Sequence, residues 1–245
     1  MSSEPDDRRR ERRRERLAER ARRHGARTHA RAGLTTEAVV EAALRIADED
    51  GVDAVSMRRI AAQLRVGTMS LYHHVADKEE LLELMADAVS GELLVPGEIL
   101  GDWREALRAI AHRTHDAFLR HPWLIDTSGR RPLVTPNQLR HIEQSVAVVA
   151  NLDIDRETAI AMVMATDDYT IGHVFRRNRI GAGERPVSAP EDQARVRELL
   201  DTGEFPHLAA VFASDTDLMP PPDTFDAGLE WLFDGMQALL DARRG

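Results

Sequence analysis

Two histidines and an aspartate on one predicted helix form the first group in the sequence that could do chemistry. His112 and His115 are three residues apart and Asp116 follows directly, a spacing at which His and Asp side chains can ligate a divalent metal. A catalytic metal needs about three protein ligands, and no second cluster lies nearby in sequence. The group therefore indicates polar surface or pocket lining, and an all-α enzyme with a metal at His112 and His115 remains an alternative.

A second pair that could do chemistry is Asp167 and Asp168, which resembles paired catalytic carboxylates. Neighbouring residues on a helix point about 100° apart, so the two carboxylates do not converge. The sequence has no cysteine, and it contains no phosphate-cradling glycine loop, no GKS or GKT motif and no nucleophile elbow. We therefore predict that the protein is not an enzyme and holds no cofactor and no metal.

A helix-turn-helix is the first pattern with nucleic-acid chemistry attached. Ser56 caps a short helix whose apolar residues recur at helical spacing up to Leu64, and the turn from Arg65 to Gly67 leads into a predicted third helix over 68–75. Two short helices joined by a three-residue turn containing glycine place the second helix in the major groove of DNA. The motif covers about residues 56–75.

The remaining segments are also helical in their patterns. Three helices are predicted from a capping residue followed by apolar spacing: about 34–50 after Thr35, from 77 onwards after Asp77, and from 102 to about 121 after Asp102. The apolar spacing predicts further helices over 137–150, 155–179, around 196–200 and 224–242. No segment alternates with period two for long. The predicted fold class is all-α, and Pro96 with Gly97 marks the end of an N-terminal unit.

Composition and charge limit the classes of protein. The 245 residues are 42% hydrophobic and 31% charged, as in a globular protein. No apolar run reaches the ~18 residues of a membrane-spanning helix, and the start of the chain is not a secretory signal, so we expect a cytoplasmic protein without a membrane partner. Residues 1–31 carry 12 Arg against 6 acidic residues. This arm either contacts DNA phosphates or forms a solvated, salt-bridged helix.

The order of residues resembles a known family. The stretch AALRIADEDGVDAVSMRRIAAQLRVGTMSLYHHVADKEELLELMADAV closely resembles the DNA-binding domain of the TetR family of bacterial transcriptional repressors. Its SLYHHVADKEELL segment matches the recognition helix and the start of the next helix. The ending FDAGLEWLFDGMQALL resembles the last helix of the tetracycline-repressor subgroup. The resemblance implies an arm over 1–31, a three-helix DNA-binding domain over 32–92, and a larger helical effector-binding and dimerisation domain over 98–245.

The resemblance also implies which residues contact double-stranded DNA. By position these are Arg58, Thr68, Met69, Ser70, Tyr72, His73, His74 and Lys78. Arg58 can fork onto guanine or reach a phosphate, Met69 can meet a thymine methyl, and Lys78 can act as a point charge on a phosphate. We expect one of the two histidines to face DNA and the other to pack or cap. One short recognition helix supplies few base contacts, so such proteins bind palindromic operators as dimers.

The implied homodimer pairs the helices over 155–179 and 224–242 with their mates in a four-helix bundle. The last helix carries apolar residues on more than one face, namely Leu229, Leu232, Phe233 and Met236. The alternative is that this helix is buried within one subunit.

The implied effector pocket is lined by Met85, Ile110, Thr114, His115, Phe118, Trp123, Arg131 and Gln144. Arg131 with Pro132 resembles the Arg-Pro pair of the tetracycline subgroup. However, TSGRRP lacks the histidine that holds the drug's magnesium, and Arg176 or Arg177 replaces the expected acidic residue. We therefore predict a small hydrophobic or aromatic effector rather than tetracycline.

The function implied is that of a homodimeric, sequence-specific transcriptional repressor. A small-molecule effector would release it from its operator, and it would control an exporter or modifying-enzyme gene. A DNA-binding regulator without a physiological ligand is the second alternative.

Overall fold

The computed structural model describes residues 34–97, 99, 101–124, 134–181, 190–212 and 224–244. The Arg-rich arm and the predicted effector residue Arg131 lie outside these ranges. Within them every regular element is helical and there is no strand, which confirms the all-α fold class. No helix in the described ranges combines the length and the hydropathy that crossing a membrane requires. The chain divides into two compact units, Met1–Met85 and Ala86–Gly245.

Ten α-helices lie within the described ranges. In chain order they are α1 Thr36–Asp50, α2 Met57–Leu64, α3 Thr68–Leu71, α4 Lys78–Leu93, α5 Trp103–Arg120, α6 Pro136–Val149, α7 Arg156–Gly181, α8 Pro190–Asp201, α9 Pro206–Phe212 and α10 Thr224–Arg244, with a single 3-10 turn at Val52–Ala54 after α1.

The first unit begins with the caps that the sequence predicts. The Ala38 N–H donates to the Thr35 hydroxyl (3.2 Å) at the start of α1, and the Arg59 N–H donates to the Ser56 hydroxyl (3.3 Å) at the start of α2. These side chains satisfy backbone donors that have no partner within the helix. Both predicted caps are confirmed.

The core of the first unit comes from one apolar stripe on each helix. Its fully buried members include Val39 and Ile46 from α1, Ile60 from α2, and Leu71 from α3. Burial of such side chains contributes about 1.5 to 3 kcal/mol each. The short α3 is therefore fixed to α1 and α2 by Leu71, which sets the direction in which its other side chains point.

The helix predicted over 68–75 is shorter than expected. It ends at Leu71, and the chain tightens into a turn in which the His74 N–H donates to the Leu71 carbonyl at 2.9 Å. The His74 carbonyl accepts from the Thr36 hydroxyl at 3.4 Å, and Val75 is buried. Aromatic and histidine residues are weak helix formers, so burial of Val75 decides the backbone path here.

The turn between α2 and α3 contains a residue other than glycine with a positive φ. Arg65, not Gly67, adopts the left-handed conformation, with φ of 57°. Its N–H donates to the carbonyls of Ala61 and Ala62, closing the end of α2. Glycine is the residue that usually takes this position because it has no Cβ.

α4 starts with the predicted capping arrangement. The Glu80 N–H donates to the Asp77 carboxylate (2.9 Å), and the Glu80 carboxylate accepts from the Ala76 N–H. The reciprocal pair satisfies two backbone donors at the helix start. α4 begins in the first unit and ends in the second.

The second unit is a helical assembly in which α5 packs against α7, with α6 and α10 completing the core. Its apolar centre includes Leu107, Met162, Val163, Leu229 and Phe233. Arg104 and Arg108 of α5 reach across to α10, where Arg104 contacts Glu230 (3.0 Å) and Asp234 (2.7 Å) and the Arg108 Nε donates to Glu230 (2.9 Å). These arginines hold the pKa of Glu230 below its ordinary value, Arg108 most of all.

The helix α9 was not predicted from the sequence. It has seven residues, and those of its side chains that the structure describes are mostly exposed. A helix of fewer than two full turns with no buried stripe gives no periodic signal to detect.

Candidate nucleic-acid interface and effector site

The recognition segment places four of the predicted DNA-contacting residues at the surface. Leu71 is buried, and around it Met69 is 75% exposed, Tyr72 is 46% exposed, and Ser70 and His73 are exposed. A single buried anchor leaves the remaining side chains of such a short helix facing solvent. Met69 and Tyr72 are both exposed on this one short segment, so they offer apolar surface to a partner.

The other predicted DNA-contacting residues are placed less uniformly. Arg58 on α2 and Lys78 at the start of α4 are exposed, whereas Thr68 and His74 are half-buried. His73 is therefore the more exposed of the two adjacent histidines. The half-buried His74 has its carbonyl held by Thr36.

The basic side chains of this unit separate into two kinds. Arg45 pairs with Glu41 (2.5 Å), and Arg59 pairs with Asp50. Arg58, Arg65 and Lys78 have no ion-pair partner within the described part of the chain, and all three lie on or beside the helix-turn-helix. An unpaired guanidinium or ammonium group can bind a phosphate without first losing an internal partner.

The predicted effector residues that the structure describes are mostly buried side chains. Those in the second unit and inaccessible to solvent are Ile110, Thr114, His115, Phe118 and Trp123. Met85 is also buried but belongs to the first unit.

Gln144 has a backbone partner in this structure. Its side-chain amide donates to the Val95 carbonyl and its oxygen accepts from the Val95 N–H, both at 2.9 Å. Both hydrogen-bonding ends of the Gln144 amide are thus used to hold the segment that follows α4.

Among the described residues of the second unit, five buried polar atoms have no hydrogen-bond partner. They are Thr114 Oγ1, His115 Nε2, His141 Nδ1, His173 Nδ1 and Asn178 Nδ2. Leaving such an atom unpaired costs about 1 to 3 kcal/mol, and native proteins contain few of them. An unpaired group of this kind is typical of a site that takes a partner from outside the chain.

Two of these orphaned atoms belong to one aromatic cluster between α5, α7 and α10. The His115 ring stacks on the Phe225 ring, with centroids 4.3 Å apart and planes at 24°. His173 lies 5.5 Å from His115 and 5.2 Å from Phe225. Tyr169 stacks on Phe225 at 5.7 Å, and its hydroxyl lies 3.0 Å from the Thr224 carbonyl and 2.9 Å from the Phe225 carbonyl.

Burial affects the titration of the histidines in this unit. It lowers the pKa of His173 below the ordinary value, and His115, Arg176 and Arg177 add to the effect. Burial alone lowers the pKa of His141. Desolvation disfavours the charged imidazolium, so both rings are neutral near pH 7, and a neutral ring has one donor and one acceptor nitrogen.

Each histidine of the possible metal-binding group lies close to a carboxylate. His112 Nε2 lies 2.8 Å from Asp226 Oδ1, and His115 Nδ1 lies 3.3 Å from Asp116 Oδ1. No group of three or more His, Cys, Asp or Glu residues that could hold a metal ion occurs among the described residues. Burial, with a smaller contribution from Asp168, raises the pKa of Asp167 to about 6.

Exposed apolar residues on α7 and α10 bear on the predicted dimer. Leu229 and Phe233 are buried within their own unit, so the part of the dimer argument that used them does not hold. Other side chains on the two helices are exposed, namely Ile160, Met164 and Phe175 on α7 and Trp231 and Leu239 on α10. Trp231 is 74% exposed, which is unusual for so large an apolar side chain.

Sequence reasoning missed several members of the buried polar cluster. Thr166, Thr170 and His173 are buried on α7, and the two threonine hydroxyls donate to carbonyls four residues back. These three residues share helical spacing with the core residue Met162. A polar stripe continuing an apolar stripe along a helix is the signal that could have found them.

Comparison with known proteins places both units. The family model "Bacterial regulatory proteins, tetR family" matches residues 39–85, and "Tetracyclin repressor-like, C-terminal domain" matches residues 95–240. The HTH-type transcriptional repressor DrrR1 of Streptomyces coeruleorubidus is 34% identical over 86% of this chain and 80% of its own length. An HTH-type transcriptional regulator of Saccharopolyspora erythraea is 35% identical over 84% of this chain and 85% of its own.

Solved structures agree with the sequence comparisons. The TetR family protein ActR of Streptomyces coelicolor, in complex with (S)-DNPA, superimposes with a TM-score of 0.66 at 29% identity, covering 84% of this chain and 98% of that one. The same protein in complex with actinorhodin gives a TM-score of 0.64 at 26% identity over 85% and 99% of the two chains. The chain therefore belongs to the TetR family of bacterial transcriptional regulators and carries both the DNA-binding and the C-terminal domain of that family.

Proposed function

We propose that this protein is a homodimeric, sequence-specific repressor that binds a palindromic operator and leaves it when a small hydrophobic or aromatic effector binds. The observation that carries the DNA-binding half is the surface of the helix-turn-helix. Met69 and Tyr72 are exposed there, and Arg58, Arg65 and Lys78 have no internal ion-pair partner in the described residues. Exposed cations and an exposed apolar residue together fit phosphates and a thymine methyl.

The DNA contacts divide into two roles in this proposal. Met69, Ser70 and His73 read base edges, with Thr68 and His74 at the margin of the contact. Arg58, Lys78 and the Tyr72 hydroxyl position the protein on the backbone. The predicted arm over residues 1–31 adds phosphate contacts beside the operator.

The proposed dimer uses the exposed apolar residues of α7 and α10. Ile160 and Met164 on α7 and Trp231 on α10 are exposed apolar side chains, and together they support an apolar contact surface. Pairing these two helices with their mates over about 155–179 and 224–242 covers this surface. A two-fold dimer then presents two recognition segments to two half-sites.

The proposed effector site lies in the domain over 98–245. The buried polar atoms without partners support it, as do the two structures of ActR described as complexes with (S)-DNPA and with actinorhodin. An effector acts only if it prefers the form that does not bind DNA. A cytoplasmic regulator of this kind would control a gene for an exporter or a modifying enzyme.

Fluorescence anisotropy tests the DNA-binding half of the proposal. Labelled fragments from the DNA flanking the gene are titrated with the wild type, Arg58→Ala and Arg45→Ala at one fixed salt concentration. Arg45→Ala is the matched control because it removes the same charge from a side chain already paired with Glu41. We expect Arg58→Ala to weaken binding at least about tenfold and Arg45→Ala to change it little.

The same assay tests release. A set of hydrophobic and aromatic compounds is added to the preformed complex. Compounds that lower the DNA affinity and also raise the melting temperature of the free protein support the effector. Equal loss in both arginine variants, or no binding by the wild type to any fragment, would contradict the proposed DNA contact.

A further inference from the structure

The cluster of His115, His173 and Phe225 has a chemistry that the family relationship does not supply. Both histidines lie within the second unit and are more than nine-tenths buried, with 7% and 6% of their surface exposed. Each has one ring nitrogen without a partner, His115 Nε2 and His173 Nδ1. Leaving a buried polar nitrogen unpaired is unfavourable, so two of them in one cluster favour a partner from outside the described residues.

The contact of His115 Nδ1 indicates whether the unpaired Nε2 is a hydrogen-bond donor or acceptor. Nδ1 lies 3.3 Å from a carboxylate oxygen of Asp116, and a carboxylate only accepts hydrogen bonds. Nδ1 therefore carries the proton, and in the neutral ring Nε2 is an acceptor. The missing partner of His115 is a donor.

The neighbouring ring offers a second unpaired nitrogen in the same cluster. The centroids of His115 and His173 are 5.5 Å apart. Each of the two nitrogens without a partner can take an oxygen about 2.8 Å away. A hydroxyl group both donates and accepts, and therefore satisfies one nitrogen as donor and the other as acceptor.

The surroundings favour a hydroxyl group carried by an aromatic ring. Tyr169, Phe225 and His115 form a stack in which Tyr169 and His115 are inclined to Phe225 by 13° and 24°. A planar ring can join such a stack by offset or edge contacts. A water molecule would satisfy the nitrogens equally but would gain nothing from the stack.

We propose that His115 and His173 bind the hydroxyl group of a phenolic effector, with His115 Nε2 accepting its hydrogen bond. This inference rests on the proposed function because it names the chemical class of the effector. It requires a free hydroxyl group, so an aromatic ether of the same shape is rejected. A site built to hydrogen-bond a hydroxyl group discriminates strongly against an analogue without it.

The experiment compares 2-naphthol with 2-methoxynaphthalene, which differ by one methyl group on the oxygen. Binding of each probe to the full chain is measured by titration calorimetry near pH 7. We expect 2-naphthol to bind at least about tenfold more tightly. Equal affinity of the two probes, or tighter binding of the ether, would overturn the proposal.

Two variants locate the preference. His115→Phe keeps a ring on Phe225 and removes the acceptor. His112→Phe is the matched control on the same helix, because His112 also packs against Phe225, with centroids 5.4 Å apart, but its Nε2 already contacts Asp226. We expect His115→Phe to bind the two probes equally and His112→Phe to keep the preference for 2-naphthol. A preference retained in His115→Phe would overturn the assignment.

The melting temperature of His115→Phe distinguishes a ligand-binding site from a site that holds a buried water molecule. Removing an unpaired buried nitrogen should leave the melting temperature of His115→Phe unchanged or raised. If neither probe binds the wild type and His115→Phe melts much lower, the histidines hold a structural water and the proposal is wrong.

Failure of the inference is distinguishable from failure of the proposed function. The anisotropy assay reads DNA binding and release without using either probe. If compounds without a hydroxyl group release the protein from DNA, the proposed repressor function stands and only the assignment of a phenolic effector is overturned.

Discussion

Asp87 holds Asn137 at three points. Its carboxylate accepts from the Asn137 backbone N–H at 2.8 Å and from the Asn137 side-chain amide at 3.1 Å, and its carbonyl accepts from the same amide at 3.0 Å. Asn137 is the second residue of α6, so a carboxylate from α4 satisfies an unpaired donor at the positive end of α6. The contact ties the C-terminal half of α4 to α6 within the second unit.

The contact between Asp87 and Asn137 affects how a substitution at Gly91 changes the stability of the protein. An alanine Cβ at Gly91 would lie 3.1 Å from the Asn137 side-chain nitrogen, which two hydrogen bonds to Asp87 hold in place. Gly→Ala inside a helix normally stabilises by about 1 kcal/mol. We expect Gly91→Ala to show no gain in urea denaturation, and we expect the gain to return when Gly91→Ala is made in an Asn137→Ala background. A full gain in the single variant would show that Asn137 is not held as described.

The last helix contains a glycine that a neighbouring tyrosine requires. A Cβ at Gly228 would lie 2.7 Å from Tyr169 Cζ, whereas a Cβ at Gly235 on the same helix would meet no described atom within 4 Å. We expect Gly228→Ala to lower the free energy of unfolding by about 2 kcal/mol or more, measured by urea denaturation. Gly235→Ala is the matched control and should be neutral or stabilising. Similar losses in both variants would argue against close packing of Tyr169 on α10.

The positive φ of Arg65 predicts a stabilising substitution. A side chain in the left-handed region costs about 1 kcal/mol, which glycine avoids, while the greater freedom of glycine in the unfolded chain offsets part of the gain. We expect Arg65→Gly to raise the free energy of unfolding by about 0.5 kcal/mol in urea denaturation. Ala62→Gly, within α2, should instead lower it by about 1 kcal/mol. A loss of stability in Arg65→Gly would mean that the Arg65 side chain makes a contact that outweighs the backbone cost.

The raised pKa of Asp167 predicts a pH-dependent stability. Burial lifts this pKa to about 6 from 3.8, so the folded protein binds the proton more tightly than the unfolded chain does. The contribution of the neutral carboxyl is present below pH 4 and is lost as the pH rises through about 6. One pKa unit is about 1.4 kcal/mol, which sets an upper limit of about 3 kcal/mol for the loss.

Asp167→Asn tests this directly, because an amide cannot ionise. We expect the variant to be more stable than the wild type at pH 7.5, by about 1 kcal/mol or more, and the difference to shrink towards pH 4. Asp201→Asn is the control, since that residue is exposed and is not one of the groups that shift the pKa of Asp167. A difference between Asp167→Asn and wild type that does not change with pH would contradict the buried ionisable carboxyl.

The parts of the fold that follow from local chemistry could be predicted from the sequence. The caps Thr35, Ser56 and Asp102 each mark a helix start in the structure. The side-chain oxygen of each cap accepts a hydrogen bond from a backbone N–H that has no partner within the helix. The end of α3 could not be predicted, since burial of Val75 and the contact of Thr36 with His74 depend on tertiary packing.

The candidate sites divide in the same way. The exposure of Met69 and Tyr72 follows from the anchor at Leu71, which the helical spacing indicates. The polar cluster in the second unit joins His115 of α5, His173 of α7 and Phe225 of α10. Their proximity depends on which helices pack together, and spacing within one helix carries no information about that.

Footprinting of the purified protein on the DNA flanking its gene, at fixed salt, tests the central claim most directly. Wild type, Tyr72→Ala and the control Arg45→Ala are compared on the same fragments. Tyr72 is half-exposed, so its removal should leave the fold intact. We expect a protected palindrome with wild type and Arg45→Ala, and no protection at the same concentration of Tyr72→Ala. Identical protection by Tyr72→Ala, or protection of no particular sequence by the wild type, would contradict sequence recognition by this helix-turn-helix.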